Sequence, residues 1–235
     1  MFSGILRAIR SLGDRLASPL PEPSAPALPP IRLRRPGVPD PVPPAEREAR
    51  ALSALRGPQG RYGLGAGGRD PAAPGPWGPY VGHKRRRESA AQRRERMSWP
   101  RWCDCSGAVS WVLGVPRRIP GYARGWGYVS TDGLLADARD PAVELVEIVP
   151  VGGEVRPWEC LVVYGSKDLD GDGDRDRIGH VGIVAAVPDG WAYTGPASLA
   201  DLSVWHCAAS ASPTGAIRVS DGRAWAREGV VVRVV

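Results

Sequence analysis

Residues 103–114 read Cys-Asp-Cys-Ser-Gly-Ala-Val-Ser-Trp-Val-Leu-Gly, and the fold follows from how this stretch is read. Ala108, Val109, Val112 and Leu113 recur at helical spacing, and Gly114 is placed to end the helix. Cys105 then occupies the first turn. There it meets the positive end of the helix macrodipole and unpaired amide hydrogens, and both favour thiolate over thiol. A nucleophilic thiol needs a base. The chain holds three histidines: His83, His180 and His206. His180 opens the strand-like run His-Val-Gly-Ile-Val-Ala-Ala-Val, and His206 lies in the shorter run Ser-Val-Trp-His-Cys-Ala. A cysteine at a helix start with two histidines on downstream strands is the raw material of a thiol hydrolase.

Outward from this core, the composition is uneven. With 235 residues and 43% hydrophobic content, the chain can bury one ordinary core. Before that core, Phe2, Ile5, Leu6, Ile9, Leu12 and Leu16 form the apolar face of an amphipathic helix over 1–17, a candidate docking element for a partner protein or assembly. Arginines interrupt its apolar run, so it does not read as a signal peptide, and no segment is long and apolar enough to span a membrane. Between Pro19 and Pro44, 11 of 26 residues are proline, which predicts an extended linker over 18–44. Residues 1–96 carry 18 Lys/Arg against 8 Asp/Glu and the remainder 13 against 17, consistent with the net charge of +6. The basic excess peaks from Lys84 to Arg96, inside a Pro/Gly-rich surface excursion over 69–101. No nucleic-acid motif accompanies it, so it reads as a solvated face, or as a surface for an anionic envelope polymer.

The spacing predicts a helix over Ala45–Arg56 and a short one over Asp132–Ala138 capped by Thr131. Strands are predicted at Val143–Val149, Cys160–Tyr164, His180–Val187, Trp191–Thr194, Val204–Cys207, Ala216–Val219 and Val230–Val235. Helices followed by successive short strands indicate an α+β fold, with the nucleophile helix packed on an antiparallel β-sheet. Cys160 and Cys207 fall on the outer two of three successive strands, beyond bridging range, and Cys103 and Cys105 are too close along the backbone to pair easily.

Asp104-Cys105-Ser106-Gly107, Gly179-His180-Val181-Gly182-Ile183 and Trp205-His206-Cys207 together resemble the NlpC-type cell-wall peptidases, which are papain-like cysteine hydrolases. Arg61-Tyr62-Gly63-Leu64-Gly65, the Pro116-Arg117 pair and Arg156–Tyr164 match further pieces in order, so the likeness spans 45–235. Trp158-Glu159 departs from it, standing where the family has Gly-Asp. The resemblance implies Cys105 as nucleophile, His180 as base and His206 as the residue orienting it. It places Tyr62 at the oxyanion, with Asp104 and Ser106 beside the substrate. It implies amide hydrolysis in peptidoglycan stem peptides with no required cofactor. With no signal peptide in view, a phage virion or lysin, or the extracellular cell wall, is the expected location. The rival readings are an idle structural or wall-binding module, a related amidase or acyltransferase, and a buried structural Cys105. A zinc site from Cys103, Cys105, His180, His206 and Cys207 lacks paired ligand spacing.

An acidic insertion over 167–178 separates the Cys160 and His180 strands. Its Asp168, Asp170, Asp172, Asp174 and Asp176, with Gly173 at the sixth place, resemble the first half of an EF-hand-type calcium loop, but Gly179 stands where the bidentate glutamate belongs. A structural calcium and a plain acidic loop stand as equal readings.

Overall fold

The computed structural model describes residues 37–56, 62, 104–125, 127–140, 142, 145–169, 177–208 and 216–235. The helix predicted over 1–17, the excursion over 69–101 and Asp170–Asp176 of the acidic insertion lie outside these residues.

Among the described residues four α-helices precede a six-stranded sheet: α1 (Pro44–Arg56), α2 (Cys105–Leu113), α3 (Tyr122–Gly125) and α4 (Thr131–Arg139), then β1 (Val146–Ile148), β2 (Cys160–Tyr164), β3 (His180–Ala186), β4 (Ser203–Cys207), β5 (Ile217–Asp221) and β6 (Val230–Val234). Two short 3-10 helices, Pro196–Asp201 and Gly222–Ala224, flank β4 and β5. The sheet order is β1-β6-β2-β3-β4-β5, and every adjacent pair is antiparallel. This is an α+β architecture. Strand alternation sorts the side chains onto two faces. Leu161, Val163, Val181, Ile183, Trp205 and Val232 meet the apolar faces of α1, α2 and α4. Val162, Val184, Val204 and Val231 meet Leu199, Leu202 and Trp225 on the other face.

Local chemistry explains the elements that position the site. α1 starts at Pro44, where a missing amide hydrogen costs nothing, and carries Glu46 in its first turn and Arg56 in its last. α2 stops at Gly114, whose φ of 70° is the left-handed conformation glycine tolerates best. At Gly182 a side chain would collide with Val204 and sit 3.2 Å from His206 Cβ, so glycine lets β4 close on β3 where the two histidines meet.

Three expectations need correction. Trp191–Thr194 is not a strand: the indole of Trp191 donates to Ser198 O at 2.9 Å and stacks on Tyr193, so its aromatic residues serve a local turn. The α4 cap is Ser130, whose Oγ accepts from Gly133 N at 3.0 Å, and Thr131 is already helical. The linker ends earlier than 44, because Val42 N donates to Leu113 O at 2.8 Å and Val38 packs against the core. Trp158, where the resemblance has glycine, takes a φ of 62°. That costs about 1 kcal/mol and is offset by bonds from Trp158 N to Val184 O and from Arg47 Nη1 to Trp158 O. Cys160, on β2, and Cys207, on β4, flank β3 as expected, and both are free thiols.

Candidate functional site

Asp104 caps α2 with its side chain, accepting from Gly107 N at 2.7 Å. Cys105 follows as the first helical residue and is 3% exposed. The backbone amides of Val181 and Ser106 are aimed at its sulfur. The Val181 amide belongs to the peptide bond that joins it to His180, so the thiol meets the sheet beside the candidate base. His180 Nε2 lies 2.9 Å from His206 Nδ1, and His206 Nε2 lies 2.9 Å from Ser220 Oγ. The structure therefore brings His180 and His206 together, with the imidazoles directly bonded on the Trp225 face of the sheet, and sets Cys105 on the α2 face with its sulfur at the His180–Val181 peptide. The thiol itself bonds to backbone and not to either ring.

The rings face the Trp225 side of the sheet. Trp225 stacks on His180 at 5.1 Å with planes 20° apart and meets His206 edge-on at 5.2 Å. Among the described residues its indole nitrogen has no hydrogen-bond partner. Tyr164, in register with His180, completes the setting, its ring 6.2 Å from that of His180. Burial pushes His180 down to about 4, with Arg218 adding to the effect and Asp104 opposing it. Burial, the neighbouring His180 and Arg218 take His206 down to about 3. Both rings are thus neutral near pH 7.

The thiol departs from expectation. Its pKa is pushed up to about 12, first by burial and then by the Asp104 charge, against the amides of Val181 and Ser106 and the Arg117 guanidinium. The helix start does favour thiolate, but removing the sulfur from water outweighs it. At rest Cys105 is a neutral thiol.

Asp104 and Ser106 are built into the helix start rather than opened to a cleft. Arg117 Nη2 pairs with Asp104 Oδ2 at 2.5 Å and reaches Ser106 Oγ at 3.1 Å, and Ser106 Oγ donates to Asp104 Oδ1 at 3.2 Å. All three side chains are buried. Tyr62 packs against the same core. Burial and the charges of Cys105 and Asp104 push its phenol well up, so it stays a protonated donor. Among the described residues no group of three or more metal-ligating side chains gathers. Of the acidic insertion's aspartates only Asp168 is described. At the base of that insertion, Lys167 N donates to Arg177 O at 2.8 Å, and both side chains pair with Glu228.

Arg218, Ser220 and Trp225 did not emerge from the sequence, because strand register places the first two beside His206 and the 3-10 helix after β5 places Trp225 beside both rings. The available clue was alternation: His206 pairs with Arg218 and Val204 with Ser220 across β4 and β5. Comparison with known protein families, with curated proteins and with solved structures finds no significant match.

Proposed function

We propose that this chain is a papain-like cysteine hydrolase of the NlpC type that cleaves amide bonds in peptidoglycan stem peptides. One observation carries the reading: Cys105 starts a buried helix with its sulfur at the His180–Val181 peptide, and His180 is bonded through Nε2 to His206 at 2.9 Å. His180 Nδ1 takes the proton of Cys105 as the sulfur attacks the substrate carbonyl. The C–S bond forms as the carbonyl π pair moves onto oxygen. The Cys105 amide at the helix start and the phenol of Tyr62 are the donors for that oxyanion. Collapse breaks the C–N bond, and the imidazolium returns its proton to the leaving amine. Water, deprotonated by the same ring, then attacks the thioester carbonyl; the C–S bond breaks, the acid leaves, and the imidazolium returns its proton to the Cys105 sulfur. Because the resting thiol is neutral, proton transfer accompanies attack rather than preceding it.

A wall-binding or structural module is the second reading, and the burial that raises the thiol and the lack of a thiol–imidazole bond favour it. Digestion of several peptidoglycan chemotypes, with products identified by mass, separates the two. The hydrolase reading predicts new amine and carboxyl ends on stem peptides, lost in Cys105→Ala. Sedimentation with intact wall and no such ends would establish the module. A phage virion, a lysin or an exported bacterial enzyme suits the hydrolase reading. Among the described residues no helix is long and apolar enough to cross a membrane.

A further inference from the structure

His206 Nε2 has two neighbours that can draw opposite protonation of the same nitrogen. Ser220 Oγ lies 2.9 Å away and 3.1 Å from Asp221 O; with its one hydrogen turned to that carbonyl, it accepts a hydrogen from His206 Nε2. Arg218 Nε donates to His206 Nε2 at 3.3 Å, and a guanidinium has no acceptor, so this bond requires a lone pair there. A neutral imidazole carries one proton, and the choice at Nε2 propagates through the 2.9 Å bond to His180.

With Ser220 in control, His206 Nε2 holds the hydrogen and Nδ1 accepts from His180 Nε2–H. His180 Nδ1 then presents a lone pair and can take the thiol proton. With Arg218 in control, His206 Nδ1–H donates to His180 Nε2, and His180 Nδ1 carries the hydrogen. In that state it cannot act as the base. We infer that Arg218 and Ser220 are opposed positioning residues on β5 that set the direction of the imidazole relay, Ser220 arming His180 and Arg218 idling it. Both stand on an outer strand of the sheet. There an anionic group on a substrate or wall polymer can draw the partly exposed Arg218 away without disturbing the core. The role in catalysis rests on the hydrolase reading; the tautomer choice does not.

The experiment records long-range ¹H–¹⁵N spectra of the histidine rings in the full chain at neutral pH, alongside hydrolysis of stem peptides. Arg218→Met should move His206 Nε2 toward the protonated, pyrrole-type region and His180 Nδ1 toward the pyridine-type region. Ser220→Ala should do the reverse, and Ser220→Thr, which keeps the hydroxyl, should retain the wild-type pattern. The rate should rise in Arg218→Met and fall on the order of tenfold in Ser220→Ala, a part of the 10²–10⁴ that positioned proton transfer contributes. Rings that keep the wild-type pattern in both Arg218→Met and Ser220→Ala would overturn the inference, whatever the activity. Shifted tautomers with no hydrolysis by any variant, wild type included, would uphold it and reject the hydrolase.

Discussion

Replacing Arg117 with methionine removes the counter-charge of a carboxylate that is 2% exposed and adjoins the candidate nucleophile. The lost contacts are the 2.5 Å ion pair to Asp104 and the 3.1 Å bond to Ser106 Oγ. Removing one partner of a buried pair costs about 3–5 kcal/mol, because the other charge is stranded. Asp104 keeps the Gly107 amide at 2.7 Å and the Ser106 hydroxyl, which favours the lower end of that range. For a domain of this size the loss corresponds to a fall in Tm of about 6–12 °C. Asp104→Asn retains an oxygen for the cap but strands the guanidinium instead, so it should also destabilise. The Asp104→Asn/Arg117→Met double variant should lose less than the sum, and urea unfolding of the four proteins measures that coupling. Chemistry moves in parallel: without Arg117 the thiol rises further and reacts more slowly with iodoacetamide, while Asp104→Asn lowers it. An Arg117→Met protein within about 1 kcal/mol of wild type, or an additive cycle, would refute the idea that this pair holds the helix start.

A chain beginning at Gly37 should melt with the full-length protein, whereas one beginning at Ala45 loses Val38 and the Val42–Leu113 bond and should melt about 4–12 °C lower. Trp225→Ala removes a fully buried ring from beside both histidines and should cost about 3–5 kcal/mol by denaturant titration; Trp225→Phe, which restores a stacking face, should recover most of it. Folded His180 titrates near 4, below its ordinary value of 6.5, so the unfolded chain binds more protons between these values. The His180 contribution should therefore be full above pH 6.5 and fall by about 3 kcal/mol as the pH drops toward 4. His180→Phe should lessen the slope, leaving the part that belongs to His206, which folding also holds below its ordinary value.

Much of the site's framework was legible because local chemistry decides it. An aspartate cap, an apolar face and Gly114 define α2 in any context, and the alternation of Val181, Ile183, Trp205 and Cys207 fixes which face meets it. What stayed hidden depends on tertiary position. The thiol's pKa follows from how far Cys105 is withdrawn from water, which its place in the first turn does not reveal. Arg117 was visible as part of a Pro-Arg pair, but its partnership with Asp104 crosses 13 residues. Arg218 and Ser220 reach His206 only through the β4–β5 register, and Val42 docks on the end of α2 although its proline-rich surroundings read as linker.

The central claim is that Cys105 carries the acyl group during turnover. Acid-quenching the protein while it digests stem peptides, then locating any added mass by peptide mapping, tests it directly. The account predicts an acyl adduct on the peptide containing Cys105, absent from Cys105→Ala, which also releases no product. Continued hydrolysis by Cys105→Ala, or an adduct at Cys103, Cys160 or Cys207 instead, would contradict it.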